Sequence, residues 1–397
     1  MKAQVTFFMI LGLIILVAFA LVVYIASFKE MKESVQQVPE QVFKRTVVDS
    51  VREYARDCVA SVSEQALVFL GRQGGRLYKS QASIIDNPVE FIEYNGFNVS
   101  YSIVPPEGTV GPYTSEIPEY PWDGFPWIVK ENEEIAWFYG YFGLPDFPPL
   151  YDFSKKSVQE MIEIYVENNV VGCFDESRFP GVSFEIKKPS VRMIIARNIS
   201  QLSTEEFVSF GVEWPIKVID SDGSVAELRK FVVNYPVSFG RVYYHAKNLV
   251  DSDVSDVFFN PGEYPGYDIE IVENVKNNDD IIILTDRKSR LIGKPFSFYL
   301  ARKNRAPALV EINRSVSENT FCLGTKFSID NNFLRASSSQ LNYKLSAFDP
   351  DEDQVSFHLS PARPELYKST MILRVIARDG GGLEDYQDIK IFGETCE

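Results

Sequence analysis

The chain has 397 residues and carries 40 Lys plus Arg against 55 Asp plus Glu, a formal net charge of −15. That balance repels phosphates and argues against a nucleic-acid partner, while an aromatic content of 14% argues against disorder. The length suits two or three domains. With only two histidines and no nucleophile elbow, HExxH, kinase set or dinucleotide fingerprint, the chain reads as non-enzymatic.

Residues 1–28 form the first element. After Lys2 no charge occurs until Lys29. As a helix, residues 5–26 would extend roughly 33 Å, enough to cross the hydrocarbon of a bilayer. The run exceeds the apolar part of a cleaved signal, so it predicts a single-pass anchor that stays with the protein. Lys2 and the terminal amine favour a cytoplasmic N-terminus, which leaves everything after about residue 30 outside the cell. The stretch "KAQVTFFMILG" resembles the class III signal of archaeal, N-terminally anchored surface proteins and of type IV pilins. Gln4 and Thr6 fit the pilin pattern, and Phe8 stands where that pattern has Glu. The resemblance implies an archaeal surface protein or, alternatively, a pilin-like subunit that builds a homo-oligomer or filament.

Outside a cell, four cysteines with no CxxC spacing suggest disulfides rather than zinc. Three pairings exist; the one that keeps bridges within domains joins Cys58 to Cys173 and Cys322 to Cys396. Four buried free thiols are the alternative. Sequons at Asn98, Asn198 and Asn313 would accept glycans and make the chain a glycoprotein.

Residues 29–80 are predicted as a stalk helix region that begins near Pro39. Val47, Val51, Tyr54, Cys58, Val62, Leu67 and Leu70 form its apolar stripe, and Gly71 or the pair Gly74–Gly75 ends it. The "GRQGG" that follows is no phosphate loop, because it lacks a preceding strand and a GK[ST] ending. Residues 81–181 hold a hairpin signalled by Asn95-Gly96, then an aromatic-rich stretch including "YPWDGFPW", then an amphipathic helix capped by Ser154 or a neighbour. The rings would pack a small core or bind a glycan or surface protein. Residues 182–303 read as an α+β domain with a mainly antiparallel sheet, a tight turn at "DSDGS", and a helix over "RVYYHAKNLVDS". His245, flanked there by Tyr244 and Ala246, reads as packing. His358 should alternate outward on its strand.

Residues 304–397 show short alternating strands, which predict a β-sandwich. The segments "NRAP", "AFDPDEDQVSF" and "ARDGGGLEDYQDIKI" resemble the cadherin-like and immunoglobulin-like repeats of bacterial and archaeal surface proteins, with Glu352 in place of the usual Gly. Asp349, Asp351 and Asp353 alternate, so a turned loop could aim them at one calcium ion, with Asp379 approaching from the next strand. Asn304 would join them if the domain follows calcium-binding cadherin repeats. The alternative is a solvated turn in which Asp side chains cap backbone amides. The fold class expected for the whole chain is therefore α+β, ending in a sandwich. The function expected is adhesion, envelope architecture or partner binding at the cell surface. A hydrolase using carboxylates between Gly96 and Tyr151 is the remaining alternative.

Overall fold

Burial patterning explains why the first part of the chain folds as two sheets with three helices. The computed structural model describes residues 45–105, 143–151, 156–199, 204–256, 259–263, 267–312, 316, 319–337, 339 and 341–396. The anchor expected at residues 5–26 lies outside them, as do Pro39, Ser154, Asn313 and most of the aromatic-rich stretch. Among the described residues, no helix is long and apolar enough to cross a membrane.

The first part contains α1 (Arg45–Arg72), β1 (Ile92–Tyr94), β2 (Phe97–Val99), β3 (Tyr101–Val104), β4 (Leu144–Pro145) and α2 (Val158–Cys173). It continues with β5 (Val182–Ile186), β6 (Ser190–Ile199), β7 (Thr204–Asp220), β8 (Val225–Tyr235) and α3 (Phe239–Asp253). It ends with β9 (Asp268–Lys276), β10 (Asp279–Leu291) and β11 (Lys294–Arg302). The fold is α+β, and its sheets are mostly antiparallel.

Strand β7 lies at the middle of one sheet, with β5 and β6 along one edge and β8 along the other. Its Val208, Phe210, Val212, Trp214, Ile216 and Val218 are all buried, one at every second position, so a single face of the strand supplies the core. The second sheet runs β4-β3-β11-β10-β9, and only the β3–β11 pair is parallel. Strand β10 is buried on both faces. Ile282 and Leu284 enter the main core, whereas Ile281 and Ile283 meet Ile92, Val99 and Tyr299 under the β1–β2 hairpin. That two-sided burial explains the unbroken apolar run "IIIL".

Helix α1 is not a stalk over its described length. Val51, Ala55, Cys58, Val59, Val62, Ala66, Leu67 and Leu70 are buried in a core shared with α2, β7, β8, α3 and β11. The expected divisions after residues 80 and 181 therefore do not separate cores: one cluster spans Val51 to Leu300. The bridge between Cys58 and Cys173 fastens α1 to the end of α2, as the within-domain pairing anticipated. The helix closes where the amide of Gly75 donates to the carbonyl of Leu70 at 2.9 Å.

Local signals act as expected elsewhere. Asn95 (φ 48°) and Gly96 (φ 79°) form the two-residue turn of the β1–β2 hairpin, a left-handed pair that most side chains resist. Ser157 caps α2 by accepting from the amide of Glu160. Helix α3 has no side-chain cap of its own. Glu206 reaches over from β7 instead, accepting from the amides of Gly240 at 2.5 Å and Arg241 at 3.3 Å.

One turn breaks the rule that the β1–β2 hairpin obeys. Ile292 joins β10 to β11 at φ 50°, a conformation costly for a β-branched residue, and it is 63% exposed. Its amide donates to Glu64 on α1 at 2.6 Å. Ile292→Asn keeps that amide and removes the strain. The midpoint of urea unfolding should rise, for a gain of about 1 kcal/mol.

The second part contains β12 (Ala308–Leu309), β13 (Thr320–Cys322), β14 (Phe327–Asp330), β15 (Phe333–Ala336) and β16 (Asn342–Lys344). Then come β17 (Ala347–Phe348), β18 (Ser356–Ser360), β19 (Thr370–Arg378) and β20 (Glu384–Glu394). Sheet β13-β20-β19-β18 and sheet β14-β15-β16 share a separate core built on Phe321, Phe327, Leu334, Leu373, Val375 and Ile391. The bridge between Cys322 and Cys396 closes this β-rich part.

Candidate functional site: a buried ionic joint

The chain passes from one core to the other through Arg302, Lys303, Asn304 and Arg305. A linker is normally solvated, yet Arg302 is 2% exposed and Arg305 is fully buried. Two desolvated guanidinium ions are tolerable only if carboxylates surround them. Asp253, the last residue of α3, and Asp280 on β10 come from the first part; Asp351 comes from the β17–β18 turn. Arg302 pairs with Asp253 at 3.1 Å, Asp280 at 2.7 Å and Asp351 at 3.1 Å. Arg305 pairs with Asp253 and with Asp351, both at 2.7 Å. Its amide and Nε also donate to Asp351, and its Nη2 donates to the carbonyl of Pro350 at 2.8 Å. Burial opposes the charge on Arg302, but Asp351, Asp253 and Asp280 outweigh it and hold the guanidinium above its ordinary pKa.

The rest of the linker is tied just as closely. Asn304 donates its amide to Asp279 at 2.9 Å, and Asp279 accepts from the Tyr101 hydroxyl on its other oxygen. Burial raises the Asp279 carboxyl. The Asn304 side chain donates to Asp379 at 2.9 Å. Lys303 pairs with Glu90 and lies over the ring of Tyr101.

A second contact comes from the β9–β10 hairpin. Asn278, in its turn, hydrogen-bonds Asp353 and sits against Gly380 and Gly381 of the β19–β20 loop. A Cβ on Gly381 would fall 2.4 Å from the Asn304 side-chain nitrogen and 3.4 Å from Asn278. The glycines after Asp379 thus allow the two halves to approach.

The structure brings together all five residues expected around a cation and gives many of their oxygens other partners, though one buried oxygen each of Asn304, Asp349 and Asp353 accepts no hydrogen bond among the described residues. Both oxygens of Asp351 accept from Arg305. One oxygen of Asp349 accepts the amides of Asp351 at 2.9 Å and Asp353 at 3.1 Å. Asp379 holds Asn304 and the amide of Leu383. Among the described residues, no group of three or more His, Cys, Asp or Glu side chains is arranged to hold a metal ion. The turn does cap backbone amides, yet it is only partly solvated: Pro350 and Asp351 are buried, Asp349 and Asp353 half-buried, and Glu352 exposed. The arginines that occupy the centre, and Asp253 and Asp280, were missed in the sequence. The one visible signal was two arginines flanking "KN" at the domain boundary, 46 residues or more from the Asp351 they meet in the acidic turn.

Carboxylates outnumber arginines here, and the excess is felt as proton affinity. Burial, reinforced by the charge of Asp351, pushes Asp349 up to about 8, and burial with neighbouring carboxylates pushes Asp353 up to about 6. A folded carboxyl that binds its proton more tightly than the unfolded one stabilises the fold fully below about pH 4. That stability is lost as pH rises through the folded value. Asp349→Asn keeps an oxygen for the two amides and removes the charge. Its melting temperature should match the wild type near pH 4 and exceed it increasingly up to pH 8. Parallel curves over that range would refute the assignment.

The remaining expected positions lie apart from the joint. Asn98 is exposed on β2, and Asn198 falls in β6. His245 packs on Tyr267 at 4.6 Å between ring centroids, and burial lowers its pKa. His358 is exposed on β18, 3.0 Å from the Ser356 hydroxyl.

No known protein family matches the chain, and no curated protein matches it either.

Proposed function

We propose that the chain is a non-enzymatic cell-surface protein, held to a membrane by residues 5–26, that presents two rigidly joined parts outside the cell for adhesion, envelope architecture or partner binding. The observation that carries this reading is that all four cysteines pair as two disulfides, which persist in an oxidising compartment and not in cytosol. The uncharged opening run supports the anchor. In this reading the β-rich part is a cadherin-like or immunoglobulin-like repeat, supported by the two acidic motifs that meet at the joint. Arg302 and Arg305 then supply at the joint the positive charge that calcium supplies in such repeats.

Treating intact cells with protease and fractionating them tests this. The full-length chain should sediment with membranes, be cut from outside, and resist thiol alkylation until reduced. Recovery of intact chain from cytosol with reactive thiols would overturn the proposal.

A further inference from the structure

Strand β19 runs from the joint to the opposite end of the β-rich part. Arg378 adjoins Asp379 at the joint, and Thr370 lies eight residues back, about 27 Å away at the usual strand rise. Three segments meet at that far end. The amide of Leu323 donates to Glu394, and the amide of Gly324 donates to Leu366, which joins the turn after β13, the β18–β19 loop and the end of β20. The bridge between Cys322 and Cys396 fastens the same end.

This end is apolar where water reaches it. Tyr367 is 73% exposed, Ile372 55%, Leu323 41% and Phe392 39%. The pairs Thr370–Phe392 and Ile372–Lys390 share the outer face of the sheet, so Ile372 and Phe392 are diagonal neighbours there. Gly393 leaves room between them and the body for Leu323 and Leu366 to close in at 3.1 and 2.8 Å from its would-be Cβ. Exposed apolar side chains clustered in this way mark contact surfaces more often than scattered ones do.

Among the described residues, cations outnumber carboxylates here, against the balance of the chain as a whole. Lys326, Arg363, Lys368 and Lys390 are exposed at this end, against the carboxylates of Glu365 and Glu394. Lys390 lies over the Phe392 ring at 5.2 Å, and the Tyr367 hydroxyl donates to Glu365. On a protein of net charge −15, an apolar patch where four cations outnumber two carboxylates among the described residues, Lys326 being paired with Glu365 at 3.9 Å, is complementary to an acidic surface. Tyrosine is enriched at the centres of protein interfaces.

We infer that the end of the β-rich part remote from the joint is the docking surface for an acidic polypeptide partner, with Tyr367, Ile372 and Phe392 as apolar anchors and Lys368 and Lys390 as the charge match. The inference names the partner class for the surface protein proposed above and rests on that reading. Its test is independent of cellular location, so the two can fail separately.

The probe is a fluorescein-labelled random copolymer of glutamate and tyrosine, titrated with the full chain in detergent micelles and read by anisotropy. Saturable binding is expected, weakened about tenfold by Tyr367→Ala combined with Lys368→Glu. Val89→Ala, at another highly exposed apolar residue, should bind as wild type. Both altered positions are exposed, and matching melting curves will show that the fold is kept. Absence of saturable binding overturns the inference. So does equal binding by the tip variant, or tighter binding to heparin or to phosphatidylglycerol vesicles than to the copolymer.

Discussion

Arg305→Met should destabilise the protein by about 3–5 kcal/mol, because it leaves the buried Asp253 and Asp351 with one shared cation in place of two. Arg302 cannot take over, since it already meets both carboxylates and Asp280. Calorimetry should show a second effect: unfolding that divides into two transitions, one for each core, because the joint couples them. Adding Asp253→Asn and Asp351→Asn to the same variant should recover much of the loss, as neutral groups of similar shape tolerate burial far better than unpaired charges. If the single variant melts within a degree of wild type, the ions are not what holds the halves together. Salt offers a further check. These pairs are out of reach of solvent, so 0.5 M NaCl should leave the coupling intact while weakening exposed pairs such as Lys79–Asp86.

Replacing Cys58 and Cys173 together by serine should cost about 2–5 kcal/mol in urea unfolding. The bridge closes a separation of 115 residues, so its loss frees a long segment of the unfolded chain. Cys58 is also 1% exposed inside the main core, where a serine hydroxyl would replace an apolar disulfide sulfur. The other bridge differs. It closes 74 residues, and Cys396 is exposed, so dithiothreitol should open Cys322–Cys396 first and with the smaller loss. Equal rates of reduction would contradict the burial of the first bridge.

Much of the local structure was legible because its causes are local. Asn95-Gly96 needs only two residues to specify a left-handed turn, and Ser157 needs only the amide of Glu160. The cysteine pairing was legible from economy of loops. The apolar stripe of α1 is legible, but a stripe does not say what covers it, and the strands β7, β8 and β11 that share its core lie more than 130 residues further on. The acidic turn shows the same limit more sharply. Asp349 could be seen to cap its own turn. The partners of Asp351, by contrast, lie 46 and 49 residues away at Arg305 and Arg302, and those arginines meet in turn at Asp253. Spacing along the chain carries no trace of such a meeting.

The way the linker is held has a mechanical consequence. In a protein tethered at one end and gripped at the other, tension would pass through residues 302–305. The pairs of Arg302 and Arg305 with Asp351, of Arg305 with Asp253, and the bonds of Asn304 to Asp279 and Asp379 tie the linker to both halves at once, so tension must break several of them together. The joint should therefore yield in one abrupt step at high force, and the chain should bear a tug as a single stiff body rather than as two beads on a string.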